Sequence, residues 1–138
     1  MKIVINRSFG GFDLSNDAIQ LYIKKKNLKL YSDDDEHYYY VPVEEYHKQL
    51  DSENLEYQKQ RKGLPNNFKG YRSNDMYWNI ETIKRNDPCL VEVVEELGQK
   101  ANGYHSKLKV VTIPDDVRYD INDYDGMESV HEKHRVWY

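Results

Sequence analysis

The chain has 138 residues, 38% hydrophobic and 32% charged, with 24 acidic against 20 basic side chains and a net charge of −4. That length suits a single domain with one core, and interspersed charges of both signs make no one-signed field of the kind that steers proteins onto nucleic acid. The longest apolar runs are only a few residues, far short of the roughly 20 a membrane-spanning helix needs.

Thirteen tyrosines, three phenylalanines and two tryptophans supply large apolar bodies with polar tips, so much of the core and rim is expected to be tyrosine. The single cysteine, Cys89, offers neither an intramolecular disulfide nor a thiolate metal cage. With no charged-then-apolar leader after Met1, a reducing cytoplasm is the expected location.

In chain order, Lys2-Ile3-Val4-Ile5-Asn6 reads as a β-branched strand that runs into a tight loop at Gly10-Gly11. Ser15 fits a helix N-cap, with Leu14 and Ile19 placed for a hydrophobic staple. That helix is expected over 15–26, because Lys24, Lys25 and Lys26 suit the negative end of the helix dipole and Asn27 accepts a left-handed cap. Leu28 to Tyr31 and Tyr38 to Val43 read as strands of a hairpin around the acidic turn Ser32 to Glu36, with Pro42 favouring an edge. From 44 to 74 the period is lost, apart from a helical suggestion over Glu44 to Leu50, and this stretch reads as an irregular, variable insertion.

Order returns with a strand at Met76 to Ile80 and then with the best-specified element in the chain. Asp87 is an N-cap and Pro88 a first helical residue; Leu90, Val91, Val93, Val94 and Leu97 share one face, and Gly98 supplies the stop. A helix over 88–97 follows. Lys107 to Ile113 alternates as a strand ended by Pro114. Val117, Tyr119 and Ile121 alternate likewise, Tyr124-Asp125-Gly126 reads as a turn, and Met127 to Trp137 as a returning strand. The fold class is therefore α+β: a mainly antiparallel sheet packed against two principal helices, in one domain spanning 1–138.

Several segments approach a chemical motif. Asp123, Asp125, Gly126 and Glu132 stand where an EF-hand loop wants four of its twelve positions, yet Ile121 would take the first and offers no oxygen, so a hairpin turn is the simpler reading. His131-Glu132-Lys133-His134 has its histidines three apart rather than the four a zinc-binding helix requires, so no metal is expected. Glu128, His131, Glu132, His134 and Arg135 gather acid, base and cation within eight residues, the ingredients of general acid–base catalysis if the fold converges them.

Between the first strand and the first helix, Arg7, Phe9, Gly10, Gly11 and Phe12 combine backbone donors, a helix N-terminus, a guanidinium and aromatic faces that suit a small anion carrying a base. Arg135 and Trp137 at the far end of the chain complete this candidate ligand set. The sequence lacks the lysine and spacing of a phosphate-binding P-loop, and no cofactor motif is present. Tyr38-Tyr39-Tyr40 stands among acidic neighbours that repel phosphate, which favours packing over nucleic-acid stacking. Cys89, in a first helical turn without a dictated basic partner, does not read as a nucleophile.

Three segments together resemble a known set of proteins. These are Met1-Lys2-Ile3-Val4-Ile5-Asn6 with Phe9-Gly10-Gly11-Phe12 and Leu14-Ser15; Arg85-Asn86-Asp87-Pro88 through Val93-Val94-Glu95-Glu96-Leu97-Gly98 to Ala101-Asn102-Gly103; and Ile113-Pro114-Asp115-Asp116 with Tyr124-Asp125-Gly126 and His134-Arg135-Val136-Trp137. The set comprises small uncharacterised proteins of tailed bacteriophages and large DNA viruses. The resemblance implies a viral origin and a host-cell compartment, and carries no activity with it. By analogy with small accessory proteins of phages, it implies a binding protein acting on host machinery, whose partner is a host defence protein or a small anionic nucleotide-type ligand. The alternatives are a small hydrolase or nucleotide-processing enzyme using the C-terminal cluster, and a homo-oligomeric assembly component.

Overall fold

The computed structural model describes residues 1–48 and 77–133. Strand β1 (Lys2–Asn6) leads to helix α1 (Asn16–Lys26) and the short strands β2 (Tyr38–Tyr39) and β3 (Tyr77–Trp78). Helix α2 (Pro88–Leu97) follows, then strands β4 (Leu108–Thr112), β5 (Tyr119–Tyr124) and β6 (Met127–Glu132). Three two-stranded antiparallel sheets result, β1 with β4, β2 with β3, and β5 with β6, so the chain is α+β, with its strands in small separate ladders. Among the described residues no helix is long and apolar enough to cross a membrane. Most of the expected insertion, the start of the strand expected at Met76, and the end of the strand expected to reach Trp137 lie outside the described residues; residues 43–48 are helical.

The chain divides into two compact units, Lys29–Asn79 and the remainder, Met1–Leu28 with Ile80–Tyr138. The first of these is built on tyrosine. Tyr38 and Tyr39 are buried, Tyr38 meets Trp78 edge-on at 5.9 Å between ring centroids, and Tyr39 lies 4.2 Å from Tyr46. The strand expected at Leu28 to Tyr31 contracts to a single bridge, in which Tyr31 and Tyr39 exchange backbone hydrogen bonds of 2.9 and 2.8 Å. Only Tyr31 reaches a ladder partner, and the ladder that forms instead is between β2 and β3.

In the larger unit the helix signals hold in detail. The Ser15 hydroxyl accepts from the Ala18 amide at 3.1 Å, and Asn27 closes α1 at a left-handed φ of 55°. Asp87 caps α2 by accepting from the Cys89 amide at 2.9 Å; Leu90, Val91, Val93 and Val94 are buried, and Gly98 ends the helix. Helix α2 packs on α1, β1 and β4, and the core it closes includes Ile3, Val4 and Ile5 of β1 together with Leu14, Ala18 and Ala101.

The Asp87 carboxylate also accepts from the Tyr22 hydroxyl at 2.7 Å and from the Lys26 ammonium at 2.8 Å, which ties α1 to the start of α2. Burial pushes its pKa up, but the hydrogen bonds from Lys26, Tyr22 and the Cys89 amide outweigh burial and hold it below the ordinary carboxylate value. A folded-state pKa below the unfolded value gives stability that is present above the unfolded pKa, about 4, and is lost as pH falls through the folded one. Chemical denaturation from pH 7 to pH 2 is therefore expected to show a steeper acid loss in the native chain than in Asp87→Asn. Parallel curves would remove Asp87 from the acid response.

Candidate functional site

Among the described residues, strand β1 pairs with β4 along one edge and with no strand along the other. The amides of Ile3 and Ile5 face β4, so those of Val4 and Asn6 face the opposite edge, where a buried N–H without an acceptor would be costly. Val4 donates to the Arg85 carbonyl at 2.8 Å, and Asn6 donates to the Glu128 carboxylate at 2.8 Å. Glu128, 5% exposed, receives Arg85 as a two-pronged pair, Nη1 to Oε1 at 2.6 Å and Nη2 to Oε2 at 2.9 Å. The Arg85 guanidinium lies 3.5 Å from the centre of the Phe12 ring, a cation–π contact. The buried charge is thus neutralised and its oxygens are occupied, the arrangement that makes burial tolerable.

Asn6, fully buried, uses the whole hydrogen-bonding capacity of its side chain. Its Nδ2 donates to the carbonyls of Ser8 at 2.8 Å and Gly126 at 2.7 Å, while its Oδ1 accepts from the Lys107 amide at 2.9 Å and lies 3.0 Å from the Ser8 hydroxyl, whose single proton is shared with the His105 carbonyl. One side chain therefore joins three loops: the loop after β1, the loop before β4 and the β5–β6 turn. Ser106, also buried, adds a second clasp, accepting from the Gly103 amide at 2.7 Å and donating to the Asp13 carbonyl at 2.8 Å.

Two glycines make the approach close enough. A Cβ on Gly10 would lie 2.2 Å from the His105 Cβ, and one on Gly126 would lie 2.5 Å from the Gly11 amide nitrogen, at a φ of +91° that side chains resist. The turn itself is the Asp-Gly hairpin read from the sequence, with Asp125 at φ 52° and Tyr124 paired with Met127.

Each of the three joined loops carries an aromatic ring into solvent: Phe9 is 63% exposed, Tyr104 92% and Tyr124 78%. Hydrogen bonds and close glycine contacts thus join residues 8–11, 103–106 and 123–126 at one end of the larger unit, with an exposed ring on each.

The sequence-derived candidates distribute differently from expectation. Of the ligand set, Phe9, Gly10 and Gly11 lie in this loop end. The Arg7 guanidinium is engaged by the Glu128 carbonyl at 2.7 Å, and Phe12 is covered by Arg85. The N-terminus of α1 is occupied by the Ser15 hydroxyl, and the preceding Asp13 carboxylate accepts from the Leu14 amide at 2.9 Å, so an acidic group stands where an anion was expected.

Of the acid–base set, Glu128 is buried in its pair with Arg85, whereas His131 projects from the opposite face of β6, bonded to the Ser129 hydroxyl at 2.7 Å and exposed. His131 and Glu132 border an open depression of about 430 Å³ with Asp120, Asn122 and Lys133. His134, Arg135 and Trp137 lie outside the described residues. Among the described residues one set of side chains has metal-sized spacing, Asp34, Glu36 and His37, all exposed. The hydrogen bond that His37 donates to the Asp34 carboxylate raises the His37 pKa, as expected of an exposed ion pair.

Sequence reading missed Asn6, Arg85 and Ser106 as organisers, and Tyr104 as a surface ring. Comparison with protein-family models, with curated proteins and with solved structures gave no match to this chain.

Proposed function

We propose that this chain is a viral accessory protein that binds a host protein through the three-loop end of its larger unit. The observation that carries the reading is the trio Phe9, Tyr104 and Tyr124, held exposed on loops that Asn6 and two close glycine contacts lock together. Exposed aromatic rings on preorganised loops are what protein interfaces use as anchors, because they bury large area at little entropic cost. The resemblance of both chain ends to phage and viral proteins supports a host target in the cytoplasm.

Capture of a small anionic ligand has less support, since Arg7 and Arg85 are both engaged within the fold and Asp13 stands beside the helix start. The hydrolase reading has less again, because Glu128 and His131 occupy opposite faces of one strand and the former is neutralised.

The test is affinity capture from host lysate with the native chain and with Phe9→Ser/Tyr104→Ser/Tyr124→Ser. All three side chains are solvent-facing, so the variant is expected to keep its melting temperature while losing the captured protein. Identical capture by both proteins, or a melting shift of several degrees with a nucleotide and no capture, would sink the proposal.

A further inference from the structure

Resting on that protein-binding reading, we infer that the three-loop end takes a basic segment whose arginines stack on its rings and pair with its carboxylates. The charge of the molecule is unevenly placed. Residues 115–125, Asp-Asp-Val-Arg-Tyr-Asp-Ile-Asn-Asp-Tyr-Asp, hold five aspartates and one arginine, a local charge of −4 equal to that of the whole chain.

This run forms β5 and ends in the turn that meets Phe9 and Gly11. Two of its carboxylates already have cationic partners, Asp115 the N-terminal amine and Asp120 the Lys133 ammonium at 3.3 Å. Asp123 accepts from the Gly126 amide at 2.7 Å, a neutral donor that leaves its charge uncompensated, and Asp125 stands exposed at the tip. Of the cations on the joined segments, Arg7 is bonded to the Glu128 carbonyl and Lys107 is exposed, while Arg118 lies at the other end of β5.

Asp123 and Asp125 therefore stand on either side of Tyr124 in the sequence, in the turn that meets the other two loops. Arginine suits this surface better than lysine, since a planar guanidinium can lie on a ring face while its edge donates to a carboxylate. The same carboxylates repel phosphate, which sets nucleic acids, nucleotides and anionic lipid surfaces against the site.

The experiment measures fluorescence anisotropy of the full chain with a labelled arginine-glycine-serine peptide, its lysine and citrulline counterparts, and a glutamate peptide. The arginine peptide is expected to bind, the lysine peptide more weakly, and the citrulline and glutamate peptides not at all. Raising salt from about 50 to about 300 mM roughly halves the screening length and should weaken binding. Asp125→Asn, which keeps a residue that tolerates the left-handed turn position, should weaken it about two- to fivefold, the range of one exposed charge contact. Phe9→Ser and Tyr124→Ser should weaken it further, while Tyr40→Ser, an exposed tyrosine of the other unit, should not.

Equal binding of arginine and citrulline peptides, no effect of Asp125→Asn, preference for the glutamate peptide, or binding of none of the four overturns the arginine assignment. In any of those cases, lysate capture that still depends on Phe9, Tyr104 and Tyr124 leaves the protein-binding reading standing, and loss of that dependence removes both.

Discussion

Glu128→Ala is expected to lower the unfolding free energy by about 3–5 kcal/mol, the range for removing one member of a buried ion pair. The substitution does three separate kinds of damage. It strands the Arg85 guanidinium, 23% exposed, above the Phe12 ring without a counter-charge, and it takes the acceptor from the Asn6 amide on the open edge of β1. It also loosens β5–β6, because a two-stranded hairpin has little stability of its own in water and this one is fastened to β1 from residues 126 and 128.

Urea unfolding followed by far-UV circular dichroism would measure the loss as a lower midpoint at unchanged slope. The double variant Arg85→Met/Glu128→Leu separates charge from packing: with no stranded guanidinium it should recover part of the loss, while the Asn6 amide still lacks its acceptor. A loss below about 1 kcal/mol in Glu128→Ala would place the pair among ordinary surface ion pairs and remove it as the fastening of the hairpin.

What was legible from the sequence divides by range. Both helices were placed within a residue, since caps and apolar spacing act over one or two turns: Ser15 with Ala18, Asp87 with Cys89, Asn27 at its left-handed φ. The Asp-Gly turn and the strand ending at Pro114 are equally local. Leu28 to Tyr31 forms a single bridge where the sequence predicts a strand, because composition shows that a segment fits a pleat and says nothing about whether a neighbour arrives along its length.

The site was legible only in part. Gly10, Gly11 and Phe9 drew notice as a loop with special backbone freedom, but the reason for that freedom, the approach of His105 and of the 123–126 turn, joins residues about a hundred positions apart. In the sequence Glu128 stands out for its titratable neighbours. Its actual partner, Arg85, is 43 residues away on another element, and no periodicity announces such a pairing. The three exposed rings are invisible as a group for the same reason, since each sits in a different loop.

Asn6→Asp tests the hub of those loops without changing its shape, and is expected to be nearly as destabilising as Asn6→Ala, at about 2–4 kcal/mol each from the unsatisfied buried groups. In Asn6→Ala the Ser8 and Gly126 carbonyls lose a donor and the Lys107 amide loses an acceptor, while the Ser8 hydroxyl keeps its bond to the His105 carbonyl at 2.5 Å. In Asn6→Asp the volume and the Lys107 contact survive, but an oxygen replaces the nitrogen that served two carbonyls, and it does so in a buried site that already holds the Glu128 carboxylate.

If the hub acts by hydrogen bonding, the isosteric change should therefore hurt at pH 7, where the new carboxyl is driven to ionise, and hurt less at pH 4, where a proton can restore one donor. If Asn6 merely fills space, Asn6→Asp should match the native chain at pH 4, where the buried carboxyl is protonated, and fall below it only at pH 7, by the cost of a buried charge. Melting curves at the two pH values decide between these outcomes. Capture experiments on the folded fraction would then show whether Phe9, Tyr104 and Tyr124 bind as a unit only while the 8–11, 103–106 and 123–126 loops remain joined through Asn6.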